Sequence, residues 1–373
     1  MSYGQVNADV IGTSVAGSNL GAGNASIMKN RIINGAFTVS QYNGTSSTTP
    51  SATSSNIYVI DRFSVLNTQA SKLTYQQTTT APAGFQNSFE VSVASTATVG
   101  SGDVFAFRQA VEAYNCQDLA WGTANAKTVT LSFWVQSSVT GTFGGAIQNY
   151  TASRSYPFTY TISSANTWTQ ISITIVGDTG STWNTGNTGY MFVTWSLGTG
   201  TSNSGTAGTW ANSGYWSATG ATSVVGTSGA TFYITGVQLE VGSSATGYEY
   251  RQYGQELALC QRYYEMSFSQ GTAPANGVGN TYKFIASALN GGTSYVNAGV
   301  YCTEKRATPT MTFYRTDNGS SNGQPAYYSG GWNNGSSISP TSGTRAFYFN
   351  FAGTFSGLSC YFVDVAWTSS AEL

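Results

Sequence analysis

Histidine is absent from this chain, and that absence removes Ser-His-Asp triads, Cys-His pairs and most zinc sites before any fold is considered. Charge is nearly as scarce. Only 8% of residues are Asp, Glu, Lys or Arg, against about 25% in ordinary soluble domains, and the formal net charge is −1. Without clusters of Lys and Arg there is nothing to neutralise a phosphate backbone, so nucleic acid is not an expected partner. No apolar run is long enough to span a bilayer, so membrane insertion is not expected either. Met1–Val10 has neither a basic start nor an apolar core, so no secretory leader is expected. The four cysteines, Cys116, Cys260, Cys302 and Cys360, lack metal-site spacing and are expected as buried thiols, with Cys302 and Cys360 the one pair worth checking.

What is plentiful is glycine (44 residues), with aromatics at 14% and many Ser, Thr and Asn. Low charge with many rings is not the composition of a disordered chain. It fits short strands joined by Gly, Asn and Ser turns, with hydroxyls on the wet faces. So little surface charge also gives weak repulsion between molecules, and much of the surface is expected to be covered in an assembly.

The chain is expected to be all-β: an antiparallel sandwich over 30–250, a linker with a short helix over 251–268, and a smaller antiparallel β-domain over 269–373. Residues 1–29 lack periodicity. They are a loose terminus or, as the number of apolar residues favours, an arm that orders against a partner. Asn30–Val39 reads as the opening strands of the sandwich, around a turn at Asn34-Gly35. Further strands are expected at Ile57–Ile60, Lys72–Gln76, Ser88–Val93, Val104–Val111, Thr128–Val135, Ile171–Ile175 and Tyr190–Trp195. At Thr235-Gly236 the alternation of Phe232 and Ile234 changes phase to that of Val237, Leu239 and Val241, as a β-bulge requires. Leu257, Cys260, Gln261 and Tyr264 then fall at helical spacing. A helix that short is stabilised by packing, either on its own sandwich or against copies of itself around a threefold axis. Thr281–Leu289 and Ser294–Cys302 read as a hairpin about Asn290-Gly291, followed by strands at Thr310–Tyr314, Ala346–Phe351 and Leu358–Trp367. Asp317–Pro340 reads as a loop.

The block Thr235-Gly-Val-Gln-Leu-Glu-Val-Gly242, Ala245-Thr246 and Glu256-Leu-Ala-Leu-Cys-Gln-Arg-Tyr-Tyr264 resembles a segment of tail-fibre and related virion proteins of tailed bacteriophages, the cyanophage and marine-phage type above all. Asn30–Gly35, Asp61–Phe63, Leu131–Val135, Gly177–Thr179, Ala307–Thr310 and Ser370–Leu373 extend the resemblance. It implies a jelly roll like those of carbohydrate-binding modules, a homotrimer, and attachment to other virion tail or head proteins through residues 1–29. It also implies a location in the virion after assembly in the host cytoplasm, and host cell-surface polysaccharide as the ligand. A purely structural head-decoration or tail accessory protein is the alternative, and a glycan depolymerase a second.

Aromatic faces and amide or hydroxyl groups are what sugar recognition needs. Trp134, Trp183, Trp210 and Trp216 in the first region, and Tyr327, Tyr328 and Trp332 in the second, lie on polar faces or in expected loops. Each is a glycan-binding candidate, against the simpler reading of packing. A two-carboxylate glycosidase is the enzyme class left open. Asp61 beside Arg62 and Glu112 near Arg108 read more simply as ion pairs or turn residues, and no catalytic residue is assigned. No cofactor is expected beyond a structural Ca²⁺, for which Asp178 and neighbouring loop carbonyls are the expected ligands.

Overall fold

The computed structural model describes residues 29–278, 283–287, 294–316, 326–328, 332–334, 338–352 and 360–373. The expected N-terminal arm lies outside these. The first region holds β1 (Ser54–Ile60), β2 (Phe63–Asn67), β3 (Leu73–Thr78), β4 (Ser88–Val93), β5 (Val104–Glu112), β6 (Val129–Ser137) and β7 (Gly141–Asn149). It continues with β8 (Ser155–Ile162), β9 (Thr169–Ile175), β10 (Gly189–Thr199), the two-residue β11 (Ser204–Gly205) and β12 (Ser217–Ala218), and β13 (Thr231–Val241). Two antiparallel sheets form the sandwich, one ordered β1-β2-β5-β10-β7-β8 and the other β3-β4-β13-β6-β9. The chain is all-β with the expected jelly-roll character, since it passes repeatedly from one sheet to the other.

Alternation dictates what faces inward. Phe89 and Val91, Phe105 and Phe107, Leu131, Phe133 and Val135, and Phe232 and Ile234 are all buried. Trp195 is central: its ring stacks on Phe107 at 5.3 Å and meets Phe133 edge-on at 5.8 Å. Each such side chain contributes about 1.5–3 kcal/mol by leaving water. The bulge is where the phase change placed it. The β13–β6 register skips between Thr235 and Gln238, and Gly236 has φ +62°.

Asn30–Val39 is not a strand pair. Asn34 and Phe37 have φ of 61° and 52°, which breaks extended backbone. The segment instead seals the edge beyond the bulge. Arg31 N donates to Leu239 O, Val237 N to Gly35 O, and the Asn30 side chain bonds Val237 O and Leu239 N.

Helix α1 (Tyr253–Gln261) starts earlier than its apolar spacing suggests, and Tyr264 opens β14 (Tyr264–Met266). Beyond it come β15 (Lys283–Ser287), β16 (Ser294–Val300), β17 (Thr310–Tyr314), β18 (Ala326–Tyr328), β19 (Trp332–Asn334), β20 (Ser339–Ser342), β21 (Ala346–Ala352), β22 (Cys360–Asp364) and β23 (Ala366–Ser370). They form sheets ordered β14-β23-β17, β15-β22-β18-β19 and β16-β21-β20 around Tyr301, Phe347, Phe349, Val363, Val365 and Trp367. The expected hairpin is therefore wrong. β15 pairs with β22 and β16 with β21, and Asn290-Gly291 lies outside the described residues.

A polar seam joins the two regions. Arg62 lies 3.4 Å over the Tyr263 ring, donates to Ala110 O and pairs with Glu372. Glu112 accepts from Arg262 and from the Tyr263 hydroxyl, so the expected pairing of Glu112 with Arg108 does not form. Asp61 accepts from Gln41 N and Nε2, and a buried Lys305–Glu265 pair completes the seam. Cys116 and Cys260 are buried thiols as expected, whereas Cys302 is free and exposed.

Candidate functional site

The seven aromatic candidates do not converge. Tyr327 and Tyr328 lie on β18 and Trp332 on β19, with Tyr328 opposite Trp332, so they stand on paired strands rather than in a loop. Their side chains lie outside the described residues. Trp183 and Trp210 belong to one edge-to-face cluster with Trp121, at centroid separations of 4.9, 5.4 and 5.9 Å. Their indole nitrogens are spent internally: Trp183 donates to Asp178, Trp210 to Val176 O and Trp121 to Lys127 O. Packing at one end of the sandwich accounts for both.

Asp178, the expected Ca²⁺ ligand, accepts from Arg154, Ser181, Trp183 and Gly180 N. Burial pushes its carboxyl up, but these donors outweigh it and hold the group below the usual carboxylate range. Among the described residues no three acidic or Cys side chains cluster as a metal site would require.

Trp134 is different. It points out of the five-stranded sheet, half-buried, because Phe133 and Val135 on either side point in. The register builds a strip around it. One row crosses four strands as Gln76, Glu90, Tyr233 and Gln136, and the next brings Thr235, Trp134 and Gln170 side by side. Side chains directly opposite on one face stand about 5 Å apart, so these rows are continuous surfaces. Trp168, at the mouth of β9, meets Tyr233 edge-on at 6.3 Å. Three half-buried rings thus share one open face.

The polar groups between the rings are partly satisfied. Gln76 Nε2 donates to Glu90 Oε2 at 2.6 Å, and the Tyr233 hydroxyl reaches Glu90 Oε1 at a long 3.3 Å. Burial, then the Glu90 carboxylate, raise the Tyr233 phenol, which stays a neutral donor. Gln136 Oε1 has no partner. No ion pair among the described residues includes Glu90. The face therefore offers flat apolar surfaces, a carboxylate acceptor and amides, without a cation. Of its members the sequence reading found only Trp134. The alternation around Phe232 and Ile234 already turned Tyr233 outward, and that was the available signal; Glu90, Gln76 and Trp168 need the strand order.

Trp216, the remaining candidate, sits on the other sheet with Arg108 4.5 Å beneath its ring.

No family model and no curated protein matches the chain. Solved structures resemble it faintly. A domain of bacteriophage CBA120 tailspike protein 4 aligns over 57% of this chain at 13% identity with a TM-score of 0.31, and the chain spans 21% of that protein's length. A family 11 carbohydrate-binding module of Clostridium thermocellum, in complex with a β-1,3-1,4-mixed-linked tetrasaccharide, aligns over 52% of this chain and 96% of its own, at 11% identity and TM-score 0.28. A xylan-binding domain of Paenibacillus barcinonensis aligns over 55% and 99%, at 7% identity and TM-score 0.25. Likenesses this faint describe what the sandwich is similar to and transfer no activity.

Proposed function

We propose that this chain is a tail-fibre protein of a bacteriophage virion, acting as a homotrimer that binds host surface glycan without catalysis. The observation that carries the binding is the open strip of Trp134, Tyr233 and Trp168 interleaved with Glu90, Gln76 and Gln136. Rings of this kind lie against the C–H faces of sugars, while the carboxylate and amides take hydroxyl hydrogen bonds. The virion setting, the trimer and attachment through residues 1–29 rest on the resemblance around 235–264. The acids nearest the seam, Asp61, Glu112 and Glu265, are each held by Gln, Arg or Lys partners, which favours a binding role over hydrolysis.

Trp134→Ala and Tyr233→Ala are expected to weaken glycan binding by about 2 kcal/mol each, roughly thirtyfold, with unchanged thermal unfolding. Glycan arrays followed by calorimetry on the full chain measure this. Variants that bind as tightly as the parent would remove the strip from consideration. A virion that carries the protein while the protein binds no glycan would favour the structural alternative, and released reducing ends would favour a depolymerase.

A further inference from the structure

On the outer face of the six-stranded sheet, Arg108 stands in an unusual position. It is 6% exposed, and no ion pair among the described residues includes it. Its guanidinium lies between Phe192, at 3.6 Å, and Trp216, at 4.5 Å, and its one hydrogen bond runs from Nη2 to Asn56 Oδ1 at 2.6 Å. Burial lowers it to about 10, so it remains a cation at neutral pH. The stacking rings offset part of the cost of burying that charge, but they provide no counter-charge.

Three polar atoms without partners gather here. Arg108 Nε, Thr194 Oγ1 and Gln148 Oε1 are all buried and unbonded, and Thr194 and Gln148 are wholly inaccessible. They are neighbours by register: Arg108 lies opposite Thr194 across β5 and β10, and Gln148 opposite Phe192 across β10 and β7. Each such atom costs about 1–3 kcal/mol when nothing bonds it, so two of them beside a cation whose own Nε is unbonded describe a surface built for something else to complete. The unmatched donor is a guanidinium N–H, and planar guanidinium favours oxyanions. Trp216 is half-buried above it and the same loop covers Gln148, whose Nε2 donates to Gly214 O, so a ligand reaches this patch when residues 214–216 move aside.

We propose that Arg108, Thr194 and Gln148 form a second glycan subsite, covered by Trp216, that takes an oxyanion carried on a sugar, a uronate carboxylate or a sulfate ester. The ligand being a glycan rests on the function proposed above; the preference for an anion rests on Arg108 alone. Arg108 Nε and the Thr194 hydroxyl donate to the oxyanion, and Gln148 Oε1 accepts from a hydroxyl of the same ring.

The test is calorimetry on the full chain with trigalacturonate, with its neutral methyl ester, and with galactose 6-sulfate. Trigalacturonate is expected to bind at least tenfold tighter than the ester, and binding of galactose 6-sulfate alone would assign the site to sulfate esters. Arg108→Gln should abolish the difference between acidic and neutral probes, and Thr194→Val should reduce it several-fold. Should Arg108→Gln fail to fold, Thr194→Val, nearly the same shape, decides. Trp216 fluorescence should change with the acidic probes only. Equal affinity of wild type for acidic and neutral probes, no binding of any of them, or an acid preference that survives both substitutions overturns the proposal. Trp134→Ala separates the two readings, because it weakens neutral glycans and leaves the acid preference in place; if neutral binding survives it, the strip fails while the Arg108 result stands.

Discussion

Asp61 shows how far one side chain can be moved by its surroundings. It is wholly buried, and desolvation outweighs the hydrogen bonds from Gln41 to lift its carboxyl from 3.8 to about 6. The folded chain therefore holds this proton more tightly than the unfolded chain. The resulting stabilisation is complete below pH 3.8 and is lost as pH rises through about 6, amounting to about 3 kcal/mol. Denaturant titrations at pH 4, 5, 6 and 7 should show this component in the parent and not in Asp61→Asn; parallel curves would disprove it. Arg262 governs a neighbour in the same seam. Arg262→Ala leaves the Glu112 carboxylate, 1% exposed, without its cation, and should cost about 3 kcal/mol in chemical denaturation.

At the scale of elements, the β-bulge of β13 decides which face the strip occupies. Gly236 has φ +62°, and a Cβ there would stand 2.6 Å from the Phe85 ring. Gly236→Ala should cost about 2 kcal/mol from backbone strain alone, read as a lower denaturation midpoint at unchanged slope. This bulge was legible because Phe232 and Ile234 alternate in one phase and Val237 and Leu239 in the other. Ser88–Val93 and Thr128–Val135 were legible for the same reason, each having one buried face. β7 and β8 were not. The first is Gly141-Thr-Phe-Gly-Gly-Ala, too poor in β-branched residues to signal a strand, and the second contains Pro157. Proline is tolerated in β8 because that strand is the sheet edge, a position known only once strand order is known. The Asn290-Gly291 hairpin failed for the opposite reason: a local turn preference was read where the flanking segments pair with distant strands. Of the site, one ring was visible. The partners of Trp134 come from four other strands, and no sequence period places Glu90 beside Tyr233.

The whole molecule follows from its shortage of charge. With 8% ionic residues, its surface carries hydroxyls and amides more than charges, and exposed rings such as Tyr114, Tyr250 and Tyr253 remain uncovered in one chain. Sedimentation should give three times 39.2 kDa, about 118 kDa, with little dependence on salt because few charges contribute. A monomer at micromolar concentration would refute the trimer.

The second β-region leaves and rejoins the first at one place. Tyr264–Met266 pairs directly with Thr368–Ser370, Ala371 N donates to Tyr263 O, and Glu372 reaches back to Arg62. Both ends of the excursion are thus tied to the same anchor, a few ångströms apart. A segment inserted that way can be exchanged as a cassette. A lineage could replace the segment between Ser267 and Val365 with an unrelated module and leave the sandwich as it is, provided the newcomer supplies a cation for Glu265 in place of Lys305.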